Sequence, residues 1–255
     1  MKRGLFTIEV NQRLAPGTFR MILSGDTSAV TAPGQFVNIA LEGKFLRRPI
    51  SVCDWAQGSL TIIYKVVGKG TEQMSKLPVG AQLDLLTGLG NGYNLDTSGD
   101  KPLLIGGGAG IPPMFALAKQ LLAQGKKPSV ILGFNQAEEL FLEEEFKALG
   151  LPVTVTTLDG SLGVKGFVTD AMPEDGYTHL YTCGPEPMLK AIMKNPLPPA
   201  SSALRSEWAA ASAPAWAAPA RLNTATSASA GRDLCWKRRR SYGKDSRRPQ
   251  RRFSG

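Results

Sequence analysis

The segment Gly106-Gly107-Gly108-Ala109-Gly110-Ile111-Pro112-Pro113 constrains the fold of this chain more than any other. An apolar run, Leu103-Leu104-Ile105, precedes it, and a helix-forming run over residues 114–122 follows. Strand, glycine turn and helix start in that order make the first unit of a strand–helix sheet. Such a turn directs backbone N–H groups and the positive end of a helix at a phosphate. The common dinucleotide spacing G-x-G-x-x-G is not met, because Ile111 stands where its last glycine belongs and two prolines follow. The loop points to a nucleotide held in a different style; a tight connection without ligand is the other reading.

The rest of residues 101–195 alternates in the same manner. Strands are predicted over residues 103–105, 129–132, 153–157 and 179–182, and helices over 113–123, 138–149 and 185–193. That is a doubly wound parallel sheet, whose ligands sit at the carboxyl ends of strands. The glycine loop and Cys183-Gly184-Pro185 would then share one rim. Residues 1–97 read differently. Short alternating runs at residues 6–10, 19–23, 35–40, 49–53 and 60–66 are split by turns such as Ala15-Pro16-Gly17 and Ala32-Pro33-Gly34, which predicts a small antiparallel barrel or sandwich. A polar linker, Asp96-Thr97-Ser98-Gly99-Asp100, joins the two.

Charge separates off a third segment. The chain carries a net charge of +9, yet residues 1–195 hold 18 basic and 18 acidic side chains, and residues 196–255 hold 12 and 3. Nucleic acid as a partner of the whole chain is disfavoured by that location. The last 60 residues contain three of the four Trp and no Val or Ile, and they favour Arg over Lys by ten to two. A disordered basic tail is the expectation there. No apolar run is long enough for a membrane span and no signal-peptide core is present, so a cytoplasmic setting is expected. Cys53, Cys183 and Cys235 lie far apart and His179 is the only histidine, which gives no metal-ligand spacing.

Two further motifs carry chemistry. In Arg47-Arg48-Pro49-Ile50-Ser51 an arginine and a hydroxyl share one strand, so that one can hold an anion while the other meets a ring edge; a charged turn explains it equally. Ile62-Ile63-Tyr64-Lys65 leads into Gly68-Lys69-Gly70-Thr71 and a helical run over residues 72–77, a second anion site or an ordinary turn capped by Thr71. Taken in order with Gly106–Pro113 and the Cys183-Gly184-Pro185-x-x-Met188 run, these motifs resemble the ferredoxin–NADP reductase superfamily, a flavin barrel followed by a pyridine-nucleotide domain. Leu46-Arg47-Arg48-Pro49-Ile50-Ser51, Leu89-Gly90-Asn91-Gly92-Tyr93 and Tyr181-Thr182-Cys183-Gly184-Pro185 resemble, within it, the electron-transfer subunits of type B dihydroorotate dehydrogenases.

The resemblance implies a barrel binding FAD over residues 1–97, an α/β domain binding NAD over residues 98–195, and roles motif by motif. Arg48, Pro49, Ile50 and Ser51 would hold FAD, with Arg48 on its phosphate and Ser51 near the ring. Ile63, Tyr64 and Lys65 would line the flavin, and Gly70 and Thr71 would meet its pyrophosphate. Gly106, Gly107, Gly108, Gly110, Ile111 and Pro112 would receive the NAD pyrophosphate. Cys183, Gly184, Pro185 and Met188 would close over the nicotinamide, with the Cys183 thiol packing and polarising rather than attacking. A buried core cysteine is its alternative reading. His179, in a buried strand, is taken as structural. NAD is favoured over NADP because the loop Gly133-Phe134-Asn135-Gln136-Ala137-Glu138-Glu139 offers carboxylates and no cation for a 2′-phosphate.

The family also implies a [2Fe–2S] cluster on a C-terminal cysteine segment and an FMN-binding dihydroorotate dehydrogenase catalytic subunit as partner in a heterotetramer. Electrons would run from dihydroorotate through FMN, cluster and FAD to NAD+. A rival role is an NADH-linked reductase subunit feeding ferredoxin, sulfur species or a hydrogenase. Here the chain departs from the pattern, since Cys235 alone follows Met193 and the cluster needs four ligands. A frameshift near residues 195–200 accounts for the break: read one base early, the Ala–Trp-rich stretch permits a C-x4-C-x2-C pattern with a later cysteine. A tail that binds nucleic acid is the contrasting reading.

Overall fold

The computed structural model describes residues 1–194; the expectations of a basic tail and a shifted reading frame concern residues outside that range. Six strands form a closed antiparallel barrel: β1 (Lys2–Ala15), β2 (Thr18–Ser24), β3 (Phe36–Ile39), β4 (Arg48–Ala56), β5 (Ser59–Lys65) and β6 (Gln82–Leu89), in the order β1-β2-β5-β4-β3-β6. Residues two apart point the same way on a strand, and this period fills the interior. Phe6 and Ile8, Met21 and Leu23, Val37 and Ile39, Leu60, Ile62 and Tyr64, and Leu83 and Leu85 all pack into one buried core. Each such side chain contributes about 2 kcal/mol on leaving water.

Three sequence expectations needed correction here. The run at residues 6–10 is a much longer strand, β1, because its two halves pair with different neighbours: Lys2 to Thr7 with β6, and Thr7 to Ala15 with β2. Strand β6 was not among the predicted runs, although it closes the barrel between β1 and β3. Helix α1 (Lys69–Ser75) starts before Thr71, which therefore sits inside the first turn rather than capping it. The Thr71 hydroxyl instead reaches back, accepting from the backbone N–H of Val67 at 2.9 Å and of Gly68 at 3.3 Å.

The second half is a parallel sheet of five strands, β7 (Pro102–Gly107), β8 (Ser129–Phe134), β9 (Val153–Thr157), β10 (Val164–Lys165) and β11 (His179–Cys183), in the order β10-β9-β8-β7-β11. β7 is buried throughout, as a central parallel strand covered on both faces must be. Alternation divides its side chains. Leu104 joins Val130, Leu132 and Tyr181 beneath α2 (Ile111–Ala123), while Leu103 and Ile105 join Ile131 and Leu180 beneath α4 (Glu186–Lys194). The helix expected over residues 138–149 is broken. A 3-10 turn at Ala137–Glu139 comes first, Leu142 takes a left-handed φ of 65°, and only α3 (Glu143–Ala148) is helical. The break turns Phe141 back onto Phe134, ring edge to face at 5.6 Å, and still buries Phe146.

The halves share a core. Cys53, Ile63 and Tyr93 from the barrel side belong to the same buried cluster as Leu117, Leu121 and Phe146. Ion pairs stitch its border: Arg20 with Glu145, Lys119 with Asp54 at 2.6 Å, and Lys65 with Glu139 at 3.2 Å. His179 is buried in β11 against the Tyr181 ring, with centroids 4.4 Å apart. No helix among the described residues is long and apolar enough to cross a membrane.

Candidate functional site

On the barrel side, α1 is fixed by Asn11. Its Nδ2 donates to the carbonyls of Met74 and Leu77, both at 2.9 Å, and its Oδ1 accepts from the Tyr64 hydroxyl at 3.1 Å. Met74 plugs the barrel interior. The first turn of α1 is thereby held beside the start of β4, where Arg48 lies across Gly70. A Cβ added at Gly70 would stand on Arg48 Nε, 2.8 Å from Cζ and 2.9 Å from Nη2. Only a glycine lets the guanidinium occupy that place. Arg48 Nη1 donates to the Leu46 carbonyl at 2.5 Å, which leaves other N–H donors of the fork available. Arg47 has a different task. It donates to the carbonyls of Asn38 and Asp84 and pairs with the Asp84 carboxylate at 2.8 Å, so it ties strands together. Pro49, Ile50 and Ser51 follow on β4 in register with Asn38, Val37 and Phe36.

On the sheet side, the two glycine segments meet at the switch point, where β7 has β8 on one flank and β11 on the other. Cys183 stands in register with Gly106. A Cβ at Gly110 would collide with the Cys183 carbonyl and lie 2.5 Å from the Gly184 N; one at Gly107 would lie 2.5 Å from Met188 Sδ, and one at Gly184 would lie 3.0 Å from the same sulfur. At Gly110 backbone therefore rests on backbone, which packs the loop against the Cys183-Gly184 turn. Gly108 has a φ of +51° and Ala109 is exposed, while Ile111 and Pro112 are buried at the head of α2. Pro185 is exposed. Cys183 is buried beside Tyr93, and burial pushes its thiol up to about 12, so it stays protonated at neutral pH.

Between the halves lies a cleft. The barrel contributes Thr18, Ile63, Tyr64 and Lys65, and the sheet contributes Gly108, Ala109, Pro112, Phe134, Glu139 and Phe141. The structure thus gathers Ile63, Tyr64 and Lys65 with part of the glycine loop. Gly106, Gly107, Gly110, Ile111, Cys183, Gly184 and Met188 are not in its lining, nor are Arg48, Ser51, Gly70 and Thr71. The Tyr64 ring is shared with the barrel core, stacked on Phe19 at 5.9 Å. Thr18 and Phe141 are cleft residues that no motif revealed, while Phe134 and Glu139 come from the Gly133–Glu139 loop read above for its carboxylates. Glu139 does not face outward to repel a 2′-phosphate: Lys65 and the Asn135 amide, at 3.2 and 2.9 Å, hold its carboxylate.

The Arg48 guanidinium over Gly70 and the open space beside Gly108 fit the phosphates of a flavin and a pyridine dinucleotide. They do not fit a [2Fe–2S] cluster. Three cysteines occur in the chain, two of them buried in separate strands, and no cluster of His, Cys, Asp or Glu among the described residues could hold a metal.

Residues 104–194 match the oxidoreductase NAD-binding domain family. The solved structure of an NADH-dependent reduced ferredoxin-NADP oxidoreductase, which gives insight into flavin-based electron bifurcation, superposes with a TM-score of 0.67 at 33% identity, covering 74% of this chain and 71% of that one. A ferredoxin NADP+ reductase from Neisseria gonorrhoeae with bound FAD and NADP superposes at 0.66 over 76% of this chain and 89% of that one; at 19% identity it shows the fold alone. Barrel, sheet and glycine loop together define a flavin reductase of the ferredoxin–NADP reductase type. Among curated proteins, the dihydroorotate dehydrogenase B (NAD(+)) electron transfer subunit of Fusobacterium nucleatum is 43% identical over 73% of this chain and 77% of its own length. The one from Geobacillus sp. strain WCH70 is 41% identical over 75% and 78%. The chain belongs to this family of dihydroorotate dehydrogenase B electron transfer subunits.

Proposed function

We propose that this chain is an NAD-dependent flavin oxidoreductase subunit that exchanges electrons with an FMN-binding dihydroorotate dehydrogenase catalytic subunit, in the cytoplasm, for pyrimidine biosynthesis. The observation that carries the reading is that both anion-binding signatures, Arg48 over Gly70 and the Gly108–Gly110 turn at the switch point, occur in one chain of this family. In it, Arg48 neutralises the FAD pyrophosphate beside Gly70 and Thr71, and Pro49, Ile50 and Ser51 run along the ring. Ile63, Tyr64 and Lys65 bound the ring from β5. The 106–112 loop and the Cys183-Gly184-Pro185 turn, braced by Met188, receive NAD.

When bound, FAD would supply one-electron exchange with another redox centre and two-electron exchange with a nicotinamide, so that electrons from the partner could reach NAD+. The chain's own contribution is to hold two planar rings together and to exclude water. Cys183 remains a neutral, polarisable wall, since its raised pKa denies it a thiolate. The reading asks little acid–base chemistry of the protein. No step is assigned to a [2Fe–2S] cluster, for which this chain lacks ligands. We attribute residues 196–255 to a shifted reading frame, which resequencing of the gene across codons 190–200 checks. A second reading, an NADH-linked reductase serving ferredoxin, is favoured by the 33% identity to the NADH-dependent ferredoxin-NADP oxidoreductase.

The test is spectroscopic. The purified full chain should show flavin absorbance after incubation with FAD, NADH should bleach it under anaerobic conditions, and bound iron should fall well below stoichiometric. A chain that takes up no FAD overturns the proposal. Reoxidation by the FMN-loaded catalytic subunit, and not by ferredoxin, separates the two readings.

A further inference from the structure

Among the described residues three ion pairs join the barrel to the sheet, and of these Lys65–Glu139 lines the cleft. Among the described residues these are also the only charged ones in that lining. Lys65 ends β5, opposite Thr18 of β2, and Glu139 closes the 3-10 turn after β8, so the pair spans the cleft from one half to the other. Across the same cleft lie Gly108, Ala109 and Pro112, the loop assigned above to a pyrophosphate. The pair is only partly shielded, with side-chain exposures of 39% for Lys65 and 23% for Glu139. Asn135 Nδ2 holds the second carboxylate oxygen at 2.9 Å, so Glu139 keeps a donor if the lysine leaves.

We infer that the Lys65–Glu139 pair is a latch across the nucleotide cleft, opened when the dinucleotide pyrophosphate takes Lys65 from Glu139. The inference rests on the functional reading above, and it gives the Lys65 ammonium a second task, on the dinucleotide, beside the place of its strand along the flavin ring. A pyrophosphate carries two charges against the one of a carboxylate, and the glycine turn adds backbone donors, so the exchange favours the ligand. Glu139 is then a positioning residue. It keeps the ammonium directed into the cleft when no dinucleotide is bound, and it sets the affinity by competing for that ammonium. The other two ion pairs, outside the lining, keep the halves together while the latch opens.

Calorimetric titration of the full chain with ADP-ribose tests this. That ligand carries the pyrophosphate but no nicotinamide, so the readout is binding and not turnover. Glu139→Gln keeps an acceptor for Asn135 and frees Lys65. It should tighten ADP-ribose by about fivefold at low ionic strength, the scale of one partly exposed ion pair. The gain should shrink in about 1 M salt, where charges are screened within about 3 Å. Lys65→Met should weaken binding by a similar factor, and melting temperatures of both variants near that of the parent establish that they fold. An unchanged or weaker affinity in Glu139→Gln, with the parent binding normally, overturns the latch alone. Failure of the parent chain to bind ADP-ribose overturns the dinucleotide reading, and the latch with it.

Discussion

Replacing Gly70 by Ala should separate cofactor binding from stability. The new methyl group would occupy the position of Arg48 Nε and sit 2.8 Å from Cζ, so the guanidinium must swing away. The obstacle is the end of a flexible side chain, and Gly70 is not among the glycines with positive φ, so the fold itself accepts alanine. Within α1 the substitution even favours helix, by up to about 1 kcal/mol. What is lost is a charge-assisted contact to a phosphate, worth about 2 kcal/mol, or about thirtyfold in Kd. Titrating apo-protein with FAD and following flavin fluorescence measures the second effect, and denaturant unfolding of the apo-protein measures the first. The expected result is an apo-protein as stable as the parent, or more so, that binds FAD about thirtyfold more weakly. Arg48→Ala should give a similar loss, and the double variant little more than either alone, because both remove one contact. Parent-like FAD affinity in Gly70→Ala, alongside a loss in Arg48→Ala, would refute the idea that this glycine makes room for the arginine.

Gly110→Ala should behave in the opposite way. Its methyl group would meet the Cys183 carbonyl and the Gly184 N, which are backbone atoms with no rotamer to escape into, so a loss of about 3 kcal/mol in denaturant unfolding is expected. Asp84 gives a pH signature: hydrogen bonds from Arg3 and then Arg47 hold its carboxyl down to about 2. A depressed carboxyl stabilises the fold above its unfolded value, near pH 4, and that stability is lost as pH falls through about 2. Asp84→Asn should therefore cost about 1 kcal/mol at neutral pH, after allowance for solvent screening, and should flatten the acid side of the stability curve between about pH 4 and 2. Equal acid slopes in the two proteins would contradict this.

The large divisions of the fold were legible because they rest on local periodicity. The switch from period two to alternating strand and helix falls between the barrel and the sheet, and the glycine loop marks the switch point on its own. What was hidden is long-range. β6 is a short apolar alternation, Leu83 and Leu85, whose meaning comes from β1 and β3 on either side. The stretch around Glu143 has helical composition up to Leu149, yet Leu142 leaves the helical region and Phe141 packs on Phe134, a long-range contact that composition does not reveal. Lys65 and Glu139 are 74 positions apart, so no local pattern couples them. Arg48, Gly70 and Gly110 stood out as motif members, but the close approaches that explain why two of them are glycine appear only in three dimensions.

The apolar cluster shared by barrel and sheet has a consequence for dissecting the molecule. Cys53, Ile63 and Tyr93 complete the interior of the sheet half as fully as Leu117 or Phe146 do. Cutting the chain at the linker around residues 96–100 would strip both fragments of part of their filling and leave each with a wet, greasy face. The two halves should therefore melt as one cooperative block, and neither should be obtainable as a soluble piece. A reductase assembled in this way cannot trade its flavin half or its nucleotide half for another without also redesigning the seam.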